Sequence, residues 1–132
     1  MPFDNAVVSD LILEMLVETR ELISNGWIQG NYHDHNNSYC LVGALEHTSN
    51  RHANSPEDFD TKYRQAEKYI ANEIKRSEEF TTAYDSSDYS TSEFTGEVSL
   101  MVWNDAAART QAHVLEVLDK AIASRREKVH AV

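Results

Sequence analysis

The only cysteine of the 132-residue sequence, Cys40, is a candidate nucleophile. The sequence predicts a helix start beside it, and the helix dipole there lowers the pKa of a thiol. Gln29 lies upstream, in outline like the oxyanion-stabilising group of thiol hydrolases, but the Cys-Gly-x-Cys-Trp signature of such enzymes is missing. Because Leu41 and Ala44 are apolar neighbours, we favour the interpretation that Cys40 is a small buried hydrophobic residue.

His33 and His35 flank Asp34 and could offer two imidazoles and a carboxylate to a divalent cation. Alternate residues of an extended segment lie on one face, but no third and fourth ligand follow at the spacing of a metal site. We therefore interpret this stretch as a polar surface turn and expect neither a metal nor another cofactor.

Trp103, Asn104 and Asp105 form a second polar motif, which a helical pattern follows. One interpretation is an N-cap for the last helix, with the indole against its first turn. The other is that this helix start, Gln29 and the start of the Cys40 helix converge on a pocket for a small anionic or polar ligand. The candidate ligand-binding residues are Trp27, Gln29, Cys40, Trp103, Asn104 and Asp105.

The charge is strongly negative, with 22 acidic and 12 basic residues and a net charge of -10. Nucleic-acid binding needs a basic stripe that neutralises phosphates, so direct nucleic-acid binding is disfavoured. The segment 81–97 combines acids with tyrosines, and tyrosine is enriched at protein interfaces. Opposite charge would steer a partner with a basic surface to it. The candidate partner-binding residues are Tyr84, Asp85, Asp88, Tyr89 and Glu93.

These residues must be positioned by a mainly α-helical single domain spanning residues 1–132. Apolar side chains at helical spacing predict four helices over about 4–25, 38–48, 55–79 and 104–128. A short extended pair is predicted from 27–32 and 98–103, and 81–97 is predicted to be a long acidic loop. No apolar run is long enough to span a bilayer and the N-terminus lacks signal-peptide features, so we expect no membrane association and a cytoplasmic location.

Three segments carry a resemblance to a known family. Residues 26–30 (Gly-Trp-Ile-Gln-Gly), 40–45 (Cys-Leu-Val-Gly-Ala-Leu) and 103–110, which include Trp-Asn-Asp and Arg-Thr, resemble a small bacterial and bacteriophage family of unknown function. Its members share GWCQG-type, CxxGAL and WNDxxxRT segments. The resemblance covers about the first 48 and the last 35 residues, and Ile28 stands where the family pattern often has cysteine. It implies no particular activity.

Two hypotheses of function follow. The first is a non-enzymatic binding protein, encoded by a bacteriophage or mobile element, that binds and modulates a host protein. The alternative is a small-ligand-binding protein or thiol-dependent enzyme with a polar pocket at Gln29, Cys40, Asn104 and Asp105. A water-excluding pocket that joins these four side chains would favour the alternative. The sequence indicates no oligomeric state.

Overall fold

The computed structural model describes residues 10–80 and 98–130, and within them the chain is mainly α-helical, as predicted. The described part contains five helices and no strand. They are α1 (Leu11–Asn25), α2 (Leu41–His52), α3 (Pro56–Phe80), α4 (Leu100–Asp105) and α5 (Gln111–His130). None of these helices is long and apolar enough to cross a membrane.

Helix α1 contacts α2, α3 and α5, while α4 is a short helix set against α2. The apolar residues of α1 recur every three or four positions, so that one side of the helix is buried. The same spacing on the other long helices closes one core. Its fully buried apolar side chains include Met15, Leu16, Ile23, Leu41, Leu45, Ile70, Ile74, Val114 and Leu118.

Polar side chains mark the helix starts. Asp10 caps α1 by accepting a hydrogen bond of 2.8 Å from the Leu13 N–H. The Arg125 guanidinium of α5 also binds Asp10, at 2.6 and 3.0 Å, and this contact lowers the pKa of the Asp10 carboxyl. Ser55 caps α3 as its sequence predicts, accepting from the Asp58 N–H at 3.0 Å.

Helix α1 ends at Asn25 as predicted, and Gly26 is its C-cap residue. Its φ of 163° is extended rather than left-handed. A Cβ there would overlap the Ser38 hydroxyl and crowd the Ser38 Cβ and Cα, which favours glycine. The close approach of residue 38 to the end of α1 therefore explains the glycine.

The predicted extended pair of 27–32 with 98–103 is wrong. Residues Leu100–Asp105 form α4, capped by Ser99, because Leu100, Trp103 and Asn104 are buried at helical spacing. Trp27 instead forms a parallel bridge with Tyr39, which also bridges His33. A short apolar run fits a strand and a buried helix equally well, so its pattern alone could not decide.

The predicted N-cap role of Asn104 is also wrong, because Asn104 lies inside α4 and α5 begins later, at Gln111. Thr110 provides the cap: its Oγ1 accepts from the His113 N–H at 3.2 Å. His113 Nδ1 in turn accepts from the Thr110 N–H at 3.2 Å. This reciprocal pair has the arrangement of a capping box.

Candidate functional site

Asn104 lies at the centre of the region that the sequence motifs predict to be functional, and its side chain is fully buried. Its Oδ1 accepts hydrogen bonds from Trp27 Nε1 at 2.7 Å and from the Leu41 N–H at 3.0 Å. Its Nδ2 donates to the Ile28 carbonyl at 3.2 Å and to Asp105 Oδ1 at 3.0 Å. One amide thus ties α4 to the segment after α1 and to the first turn of α2.

Gln29 and Asp105 extend this network at its edge. Gln29 Nε2 donates to the carbonyls of Asn104 and Ala106, both at 2.9 Å, and these lie at the end of α4, where helix carbonyls lack partners. Asp105 Oδ1 accepts from the Gly30 N–H at 3.0 Å. We call the contacts of residues 27–30 and 41 with Asn104, Asp105 and Ala106 the Asn104 clasp.

Trp103, also on α4, is buried, with only 3% of its surface exposed. The Arg109 guanidinium lies 4.0 Å from the ring centroid, and Arg109 Nε donates to the Trp103 carbonyl at 2.7 Å. A cation over an indole face is a favourable contact, so Arg109 stabilises the end of α4. Trp103 is therefore a packing residue of α4 in this structure.

Cys40 is the N-cap of α2 and is buried. Its Sγ accepts from the Gly43 N–H at 3.3 Å. Burial raises the pKa of the thiol, and the nearby carboxylates of Asp105 and Glu46 act in the same direction. The thiolate, which is the nucleophilic form, is therefore disfavoured despite the helix start.

The backbone around Cys40 is closely packed as well. The Cys40 N–H donates to the Tyr32 carbonyl at 3.0 Å. A Cβ at position 43 would overlap that same carbonyl, so only glycine fits there. Gly43 inside α2 thus has a packing reason, the close approach of another backbone, which offsets the low helix propensity of glycine.

A cleft of about 160 Å³ opens next to the Asn104 clasp, and we call it the Tyr32 cleft. Cys40 and Asp105 line it, whereas Gln29 and Asn104 do not. Two of its lining residues are large exposed apolar side chains: Tyr32 is 49% and Met101 39% exposed. Val102, which follows Met101 in α4 and does not line the cleft, is 41% exposed. The lining residues are Gly30, Asn31, Tyr32, Cys40, Met101 and Asp105.

A second, larger recess of about 420 Å³ is lined in part by Tyr39, and we call it the Tyr39 groove. The Tyr39 ring lies near two imidazoles in tilted arrangements, with centroids 5.8 Å from His33 and 5.5 Å from His47. The sequence motifs do not predict this groove. The only local pattern that relates to it is the helical spacing of Glu46, His47 and Asn50 on α2. The lining residues are His33, Tyr39, Glu46, His47, Asn50 and Phe59.

The stretch around His33 and His35 is a turn organised by Asp34. Asp34 Oδ1 accepts from the backbone N–H groups of Ser38 at 3.0 Å and of Asn36 at 2.9 Å, and these bonds lower the pKa of its carboxyl. Within residues 10–80 and 98–130, no group of three or more His, Cys, Asp or Glu side chains could hold a metal ion.

The candidate partner-binding residues lie outside the described residues. They are Tyr84, Asp85, Asp88, Tyr89 and Glu93. Their role as a recognition element stays a prediction from the sequence.

The fold and site together define a small mainly α-helical domain in which the sequence motifs are joined by hydrogen bonds around one buried asparagine. The chain belongs to a family of unknown function, DUF6197, whose profile matches residues 9–124. No curated protein and no solved structure matches the sequence. The family match spans the three motif segments and the helix between them.

Proposed function

We propose that this protein is a non-enzymatic binding module that docks on a partner protein through the Tyr32 cleft. The observation that carries the proposal is the exposure of Tyr32 and Met101 on the wall of a cleft that Asp105 also lines, with the exposed Val102 next to Met101 in α4. Tyrosine and methionine are enriched at interfaces, and exposed apolar clusters with a polar rim mark interaction sites. The cleft volume suits one apolar side chain of the partner, with a basic residue beside it facing Asp105.

The state of the neighbouring polar groups supports binding over catalysis. The Cys40 thiol is buried and its pKa is raised, which disfavours a nucleophilic thiolate. The Asn104 amide already makes four hydrogen bonds, and Gln29 binds two carbonyls. These groups are engaged in hydrogen bonds within the fold. The exposed apolar side chains of the cleft are therefore the surface available to bind a partner.

We propose further that the partner is a host protein with a basic surface, which the binding modulates in the cytoplasm. The net charge of -10 supports this choice, because charge complementarity sets encounter rate and partner selection. The acidic tyrosine-containing segment 81–97 supports it from the sequence. A bacteriophage or mobile-element origin rests on the motif resemblance.

A second candidate function is binding of a small polar ligand, or thiol chemistry on such a ligand, in the same cleft. It is favoured by the position of Cys40 and Asp105 on the cleft wall. The cleft is smaller than the roughly 300–1,000 Å³ usual for ligand pockets, so protein binding ranks first.

The test is capture followed by measured affinity. The immobilised full chain is exposed to bacterial lysate, the retained protein is identified and purified, and its Kd is measured by calorimetry. Two variants probe the cleft: Met101→Ser with Val102→Ser, and Asp105→Asn. Two exposed α5 residues provide matched controls, Ala112→Ser and Glu116→Gln.

We expect the Met101 and Val102 change to weaken Kd about tenfold or more, as loss of an interface anchor does. Asp105→Asn should weaken binding most at low salt, and both controls should leave Kd unchanged. A partner that binds all variants equally would contradict the proposal. A small molecule that copurifies with the wild type and is lost in Asp105→Asn would establish the second candidate instead.

A further inference from the structure

We propose that the Tyr39 groove binds the guanidinium group of an arginine side chain that a partner protein presents. The groove shares no lining residue with the Tyr32 cleft, so this inference does not depend on the function proposed for that cleft. Its volume of about 420 Å³ admits the arginine side chain together with neighbouring partner atoms or water.

The groove offers aromatic surfaces to a planar cation. Tyr39 lies in the segment just before α2 and Phe59 lies on α3, and both side chains line the groove. Phe59 is held in place by Tyr63, since their rings are stacked with centroids 6.0 Å apart. Guanidinium groups stack on aromatic faces through cation–π and π contacts, which an ammonium group does less well.

Glu46 supplies the opposite charge. It is exposed, and no residue in the described part of the chain forms an ion pair with it. Other carboxylates of α1 and α3 are already paired: Glu18 with Arg51, Asp58 with Lys62 and Asp60 with Arg64. The carboxylate of Glu46 is thus free to accept two parallel N–H bonds from one guanidinium.

The other polar side chains of the groove can accept hydrogen bonds from the guanidinium N–H groups that Glu46 does not bind. Asn50 lies one turn after Glu46 on α2, so its amide oxygen is on the same side of the helix and can accept a hydrogen bond. His33 and His47 are acceptors when neutral. Five N–H donors in one plane match this set of acceptors, whereas the ammonium of lysine is a point charge.

The experiment titrates the full-length protein with capped tripeptides, Gly-Arg-Gly, Gly-Lys-Gly and Gly-citrulline-Gly, and follows amide and side-chain NMR shifts. We expect the arginine peptide to bind more tightly than the lysine peptide, and the neutral citrulline peptide to bind about tenfold more weakly than arginine. The shift changes should centre on Tyr39, Glu46 and Phe59.

Glu46→Gln removes the charge at an exposed site without altering the helix, so we expect about tenfold weaker arginine binding and an unchanged fold by circular dichroism. Glu21→Gln, an exposed change on α1, is the matched control and should leave the affinity unchanged. Phe59→Leu should lower the preference for arginine over lysine.

Three results would overturn the inference. Equal affinity for the arginine and citrulline peptides would show that charge is not recognised. Unchanged affinity in Glu46→Gln would show that the cation binds elsewhere. Free arginine that binds more tightly than the capped peptide would indicate a small-molecule site rather than a protein-docking site.

Discussion

Replacement of Asn104 by alanine should strongly destabilise the fold, because one side chain joins three parts of the chain. Asn104→Ala removes the acceptor of Trp27 Nε1 and of the Leu41 N–H, and the donor to the Ile28 carbonyl. The site is fully buried, so these groups lose a partner away from bulk water.

The magnitude follows from the number of orphaned groups. A buried polar group left without a partner costs about 1–3 kcal/mol. The Leu41 N–H is deeply buried and the indole N–H is partly buried, which gives a combined loss of about 3–5 kcal/mol when the Ile28 carbonyl is included. Loss of a helix N-cap alone would cost only about 1 kcal/mol. A buried amide that joins three segments and a simple N-cap therefore predict different losses in the free energy of unfolding for Asn104→Ala.

The assay is urea unfolding at pH 7, followed by circular dichroism, with the free energy of unfolding obtained by linear extrapolation. Asn72→Ala is the matched control, because Asn72 is exposed on α3. It should change the free energy of unfolding by no more than about 0.5 kcal/mol. A loss of about 1 kcal/mol or less in Asn104→Ala would refute the clasp.

A double-mutant cycle isolates the contact between Asn104 and the indole. Trp27→Phe removes the N–H donor but keeps an aromatic ring at that position. In the Trp27→Phe background, Asn104→Ala should cost about 1–2 kcal/mol less than in the wild type. Strict additivity of the two changes would show that the 2.7 Å hydrogen bond contributes nothing to stability.

Gly43→Ala should destabilise the protein by about 1–3 kcal/mol in the same unfolding assay, because its Cβ would overlap the Tyr32 carbonyl; a stabilised variant would contradict this. Native Cys40 should react slowly with a thiol reagent and quickly in urea, since burial raises its pKa; rapid native labelling would argue for an exposed thiolate. Asp10→Asn should lower stability at pH 7 by about 2 kcal/mol. The Arg125 contact lowers the Asp10 pKa below 3.8. The difference in the free energy of unfolding between wild type and Asp10→Asn should therefore keep its full size above pH 3.8 and disappear as the pH falls further and the carboxyl is protonated. A difference that does not depend on pH would contradict the ion pair.

The long helices could be predicted because their signals are local. The spacing of Met15, Thr19 and Ile23 predicts the buried side of α1, and Ser55 followed by Pro56 predicts the start of α3. Each of these signals lies within about one or two helical turns, which is the range over which sequence patterns act.

The role of Asn104 could not be predicted because its partners are distant along the chain. Leu41 and Trp27 lie 63 and 77 positions away, and no local pattern distinguishes a buried amide with such partners from an exposed helix cap. An asparagine after a short apolar run has the composition of an N-cap, so the local interpretation was wrong. The Tyr39 groove was missed for the same reason, since His33 and Phe59 reach it from different segments.

The Asn104 clasp also bears on how much the chain between Leu41 and Asn104 can change in length without loss of stability. The Leu41–Asn104 contact closes a loop of 63 positions, and the entropy of loop closure grows only with the logarithm of loop length. Helices α2 and α3 occupy most of that loop, so the relevant change is in 81–97 alone. Ten flexible residues added there would lengthen 17 residues to 27 and destabilise the closed loop by only about 0.4 kcal/mol. We therefore expect a change in the length of 81–97 to leave the stability of the clasp and of the helices around it nearly unchanged.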